Sequence, residues 1–217
     1  MASVEIATIN KKLDELRRTD TSFETFGSSV HCYQLNAPLS EVELGEFEVA
    51  HALILPEPYR TFISELGNGG AGPFYGLFPL GFFDATGGPL ERWKEGDGFA
   101  GDLSKVFPHR EPWNVSDAWF EHSGHFENDD EEDAWIRAFE NEVWNPELVN
   151  GAFPICHEGC AIRNLLVVTG PERGNVWTDD RANDGGIYPN SEDSKTGASF
   201  FEWYSGWIDR SVDALSR

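Results

Sequence analysis

Residues 154–189 read PICHEGCAIRNLLVVTGPERGNVWTDDRANDGGIYP. The apolar run Leu165-Leu166-Val167-Val168-Thr169 meets the turn Gly170-Pro171-Glu172-Arg173-Gly174, and a second run, Asn175-Val176-Trp177-Thr178, follows at once. Two β-rich runs joined by a Gly/Pro turn predict a hairpin. The second run exits into the charged cluster Asp179-Asp180-Arg181 and then Asp184-Gly185-Gly186. Strand ends hold polar groups in fixed places and loops there carry function, so this cluster is either a site or a structural corner.

Helical patterns flank the block. Ile6, Ile9, Leu13 and Leu16 fall on one face and predict an amphipathic helix over 4–18. Ser40 and Glu43 have capping-box spacing ahead of a helix over about 41–51. Leu55-Pro56-Glu57-Pro58 gives an extended entry to a third helix, with Tyr59, Phe62, Ile63 and Leu66 on its apolar face. Gly67-Asn68-Gly69-Gly70 stops that helix, with a left-handed cap as the expected means, and Gly76–Leu80 reads as a short strand. Residues 84–116 carry Gly, Pro and charges without period, an excursion ordered by Trp93, Phe99 and Trp113. Trp135, Ile136, Phe139 and Val143 predict a helix starting near 131. Ser199 and Glu202 form a second capping box, and Phe200, Tyr204, Trp207, Ile208, Val212 and Leu215 continue a helix to the end. Helices, then strands, then a closing helix predict a single α+β domain with a central, mostly antiparallel sheet.

The 217 residues carry 38 acids against 16 Lys and Arg, a net charge of −22. Such a surface repels phosphate backbones and anionic membranes, which argues against direct nucleic-acid or membrane binding. It favours a basic protein partner and speeds that encounter at low salt. Sixteen Phe and eight Trp exclude an acidic disordered chain. Three cysteines, Cys32, Cys156 and Cys160, do not make a disulfide framework, and the N-terminal stretch has no apolar signal core, so the cytoplasm is the expected compartment. The charge is densest over 111–150, where Glu111, Asp117, Glu121, Glu127, Asp129, Asp130, Glu131, Glu132, Asp133, Glu140, Glu142 and Glu147 face Arg137 as the only Lys or Arg. Acids at 129–133 suit the first turn of a helix, so part of that density has a local explanation.

The candidate chemistry is thin. Cys156-His157-Glu158 with Cys160 offers one local pair, whereas a structural zinc site draws on two separated pairs. Cys156 and His157 are strand neighbours pointing to opposite faces, so the imidazole does not activate the thiol, and Cys156 reads as a core residue. Asp179, Asp180 and Asp184 could hold a divalent cation, the basis for a metal-dependent enzyme as a third reading. Arg181 sits among them and would more naturally pair with one. There is no phosphate loop, no G-x-S-x-G and no H-E-x-x-H, so no catalytic group, metal or cofactor is expected.

With these residues in view, the chain resembles the SUKH superfamily, in the branch of the Smi/Knr cell-wall-synthesis regulators and their bacterial relatives. One motif is Leu55-Pro56 with Tyr59, Phe62 and Gly67-Asn68-Gly69-Gly70, leading into Tyr75-Gly76-Leu77. The other is Gly170-Pro171-Glu172-Arg173-Gly174, Val176-Trp177 and Asp179-Asp180-Arg181, with Phe200-Phe201-Glu202-Trp203-Tyr204 and Trp207 at the close. The matching stretches are 41–81 and 151–210; about 82–150 has no counterpart and reads as an inserted acidic helical segment. The resemblance implies an α+β fold, no enzymatic activity, and shared motifs that maintain the fold. It further implies an immunity protein that neutralises a cognate secreted toxin, plausibly a basic nuclease domain, by binding it. The alternative it implies is a non-enzymatic regulatory scaffold. On the immunity reading, Glu127, Asp129, Asp130, Glu131, Glu132 and Asp133 are the expected steering charges, and Trp113 or Trp119 the expected anchor, since binding hot spots favour Trp.

Overall fold

The computed structural model describes residues 2–84, 88–122, 124–191 and 197–215. Four helices come first: α1 (Ala2–Thr19), α2 (Ser28–His31), α3 (Glu41–Ala50) and α4 (Glu57–Glu65). A two-residue pair follows, β1 (Phe82–Phe83) with β2 (Glu91–Arg92), then α5 (Asp117–His122) and α6 (Asp129–Val143). The main sheet holds β3 (Ala152–Gly159), β4 (Ile162–Val167), β5 (Asn175–Asp180), β6 (Gly186–Pro189) and β7 (Ala198–Ser199), and α7 (Phe200–Leu215) closes the chain. All its strand pairings are antiparallel; β5 lies between β4 on one side and both β6 and β7 on the other. The α+β class and the 165–178 hairpin are as the sequence predicts, with Leu165 opposite Trp177 and Leu166 opposite Val176.

The sheet is buried on both faces, which is why Leu165–Val168 runs apolar without alternation. Phe153, Ile155, Leu166 and Val176 meet the helices in the larger core, where Ile6, Ile9, Leu13 and Leu16 of α1 join Tyr59 and Phe62 of α4 and Phe200 and Tyr204 of α7. Aromatic edges set that packing: Phe200 stands 5.1 Å from Tyr59 and 5.2 Å from Phe62. Leu165, Val167, Trp177 and Ile187 line the opposite face with Phe107 and Val149. Both capping boxes form: the Glu43 carboxylate accepts from the Ser40 amide at 2.8 Å, and Glu202 accepts from Ser199 at 2.9 Å.

Two local expectations change. Gly76–Leu80 is not a strand; Leu77 makes single pairings with Gly70 and Cys156, because Gly76 turns the chain at positive φ and Pro79 has no amide hydrogen to continue a ladder. Helix α4 does not end on a left-handed cap: Leu66 closes it in right-handed geometry, and the positive φ falls later, at Gly69 and Gly70. Gly67 is required for close approach instead, since a Cβ there would lie 2.6 Å from the Asn36 carbonyl oxygen.

The segment expected as an insertion divides in two. Trp93, Ala100 and Leu103 sit in the main core and Phe107 in the second, so 93–107 is part of the frame. Helices α5 and α6 instead pack on one another, and neither their tryptophans nor Phe139 joins either core. They form an arm on the frame.

Candidate functional site

The arm carries the densest exposed charge. Asn128 caps α6, its side-chain oxygen accepting from the Glu131 amide at 3.0 Å, while the Glu131 carboxylate accepts from the Glu127 amide at 2.7 Å. Glu127, Asp129, Asp130, Glu132 and Asp133 are exposed and Glu131 is half-buried. Among the described residues their one ion pair is with Arg137, 3.8 Å from Asp133 with both side chains two-thirds exposed, a contact worth little. One carboxylate at a helix start gains about 0.3–1 kcal/mol from the dipole. Further acids at i,i+3 and i,i+4 spacing, as at 129/132, 129/133 and 130/133, repel by about 0.2–0.5 kcal/mol each. The acid crown therefore exceeds what the helix start uses.

Behind the crown the arm is aromatic. Trp135 stacks on Phe139 at 5.2 Å with planes 4° apart, and Trp119 meets Trp135 and Phe139, each at 5.7 Å. The Trp119 indole N–H donates to the Glu142 carboxylate at 2.8 Å. Trp113 lies elsewhere: its amide and carbonyl both pair with Ile187 at 2.8 Å, adding a backbone bridge beside β6, and its half-buried ring packs on the second core. The structure thus places Trp119 with the acids and Trp113 with the sheet.

The strand exit spends its charges internally. Arg181, 4% exposed, reaches Asp179 with Nε at 2.8 Å and Nη2 at 2.7 Å, donates to the Val143 carbonyl at 3.0 Å and the Gly98 carbonyl at 2.9 Å, and lies over the Trp144 ring. One guanidinium therefore ties β5, the 93–107 segment and the end of α6 together. Asp180 accepts from the Asn183 side chain at 2.7 Å, and Asp184 takes the left-handed turn position at φ 61°. Among the described residues no group of three His, Cys, Asp or Glu is placed to hold a metal ion.

The Cys156 thiol is buried, 3.2 Å from the Pro73 carbonyl oxygen, and burial pushes it well above its ordinary range. His157 turns away and pairs through Nδ1 with Asp84 at 2.7 Å, while Arg163 contacts the other Asp84 oxygen at 3.2 Å. Burial, with the Arg163 charge second, holds the His157 imidazole below its usual range. Cys160 lies exposed in the hairpin turn.

Two arrangements were not anticipated. The first is this Asp84–His157–Arg163 cluster, which joins residues 73 and 79 positions apart. The second is a polar row across the helix-facing side of the sheet: Asn164 donates to Glu158 at 2.7 Å and Asn190 to the Thr178 hydroxyl at 2.9 Å, with Glu158, Thr178 and Asn190 on a cleft of about 620 Å³ beside α7. Burial raises Glu158, and the Asp180 charge adds to it against the Asn164 hydrogen bond. The available signal was polar Asn164 and Thr178 at alternate positions inside apolar strands.

Comparison with protein-family models, with curated proteins and with solved structures returns no match for this chain. No helix among the described residues is long and apolar enough to cross a membrane.

Proposed function

We propose that this protein is a non-enzymatic immunity protein of the SUKH type, which binds a basic secreted toxin domain, of the nuclease class, in the cytoplasm and neutralises it by occlusion. The observation that supports this reading is the surplus crown of carboxylates on the α5–α6 arm, with one exposed ion pair, Asp133–Arg137, among the described residues. A nuclease presents a positive cleft for phosphate, and a crown of carboxylates complements it in sign. Steering by Glu127, Asp129, Asp130, Glu131, Glu132 and Asp133 raises the rate of encounter, and Trp119 supplies an apolar anchor beside them. The frame contributes rigidity: Arg181 fixes the end of α6 to the sheet, so the arm is presented in one orientation.

Co-expression with a toxin domain encoded in the genomic neighbourhood, scored for rescue of growth, tests the reading. Rescue by the wild type, and its loss when the six acids are replaced by Asn and Gln, is the expected result. Rescue that survives the replacements would move the interface off the arm; no rescue by the wild type would remove the reading for that toxin.

A further inference from the structure

The arm carries an apolar slot of about 250 Å³ lined by Ser116, Ala118, Trp119 and Trp135. Its walls are indoles and small side chains, but its setting is anionic. Glu142 is held at the Trp119 indole edge by the 2.8 Å hydrogen bond, and Glu131 and Glu132 lie one helical turn before Trp135 on α6. A purely apolar occupant would gain nothing from the surrounding carboxylates, whereas a cation is drawn to them. Among cations, a guanidinium is planar, weakly hydrated and stacks on an indole face, while an ammonium is compact and strongly hydrated.

Resting on the binding role proposed above, we infer that the slot lined by Trp119 and Trp135 receives an arginine side chain of the basic partner, its guanidinium against the exposed indole surface and its charge compensated by Glu142, Glu131 and Glu132. The acid crown then steers the approach, and the slot selects the residue that docks. This division makes the arm selective for arginine over lysine at equal charge, which a bare acidic surface is not.

The test uses the full chain with a hexa-arginine peptide and its hexa-lysine counterpart at low salt, read by affinity and by the indole N–H resonances. The arginine peptide is expected to bind about fivefold more tightly, moving the Trp119 and Trp135 indole signals and leaving that of core Trp177 in place. Trp135→Leu abolishes the arginine preference without weakening the lysine peptide. Trp135→Phe, which keeps a ring, reduces the preference by part and guards against an unfolded arm. Equal affinity for the two peptides, or a preference that survives both variants, overturns the slot while leaving the acidic arm standing. If neither peptide binds the wild type, or binding is indifferent to neutralising the six acids, the slot fails together with the binding role of the arm.

Discussion

The Asp179–Arg181 corner and the first turn of α6 are built from the same kinds of charge and use them oppositely. At the corner, Asp179 and Arg181 are 8% and 4% exposed, and the guanidinium donates to a carboxylate and two carbonyls. At the helix start, five carboxylates stand in solvent, and among the described residues Arg137 alone forms an ion pair with one of them. Charges with buried partners hold a fold together; charges left in solvent contribute little to it. The first region therefore accounts for the shape, and the second is the surface to which the proposed binding is assigned.

The comparison breaks most severely at Arg181. Arg181→Ala leaves Asp179 buried without its cation, and about 3–5 kcal/mol of unfolding free energy is expected to go, measured by urea titration. The Val143 carbonyl also loses its donor, so amide exchange at the end of α6 should quicken. A change under about 1 kcal/mol would mean that the corner is dispensable. Trp177→Ala, from a fully buried site in the second core, is expected to cost a similar about 3–5 kcal/mol by the same titration.

Next in size is a pH effect that belongs to the frame alone. Burial lowers His31 from 6.5 to about 4, and burial also lowers His109. His31 is thus neutral when folded between those values, while the unfolded chain takes up a proton. Its contribution is fully present above about pH 6.5 and is lost as pH falls through 4, a difference of about 3 kcal/mol. Urea midpoints across that window should fall with pH, and the slope should shrink in His31→Gln. A slope unchanged in the variant would assign the effect elsewhere.

The smallest stability effect is predicted at the surface proposed to bind the partner. Replacing Glu127, Asp129, Asp130, Glu131, Glu132 and Asp133 by Asn and Gln should shift unfolding free energy by about 0.5 kcal/mol or less, since the repulsion relieved offsets the dipole attraction lost. A loss of several kcal/mol would turn the crown into a structural element and erase the contrast with Arg181.

Much of the frame is legible in the sequence because its causes are local. The faces of α1, α4 and α7, both capping boxes and the 165–178 hairpin follow from spacing within one element. That Arg181 pairs with one of its neighbouring acids is equally legible; that Asp179 is the one follows only from the fold. What spacing does not show is tertiary. Asp84 meets His157 only once β1 is laid beside β3, and 93–107 enters the cores without a periodic pattern because it covers the sheet as irregular chain. Asp20 is the clearest case. It ends α1 as an ordinary loop acid in sequence, yet it accepts from the Glu24 and Thr25 amides and the Tyr33 hydroxyl, and these bonds outweigh the upward push of burial and hold its carboxyl below the usual range. At the arm the acids are visible in the sequence, but not that Trp113 bridges to β6 while Trp119 packs on Trp135, since identical side chains differ there only in which neighbours the fold supplies.

The proposal that the arm reads a basic partner is tested most directly by association rate against ionic strength, with a toxin domain against which the protein rescues growth, for the wild type and the six-acid replacement. Steering by the crown predicts that the replacement associates roughly tenfold more slowly at low salt and shows a flatter salt dependence. Equal rates and equal slopes for the two proteins would contradict it.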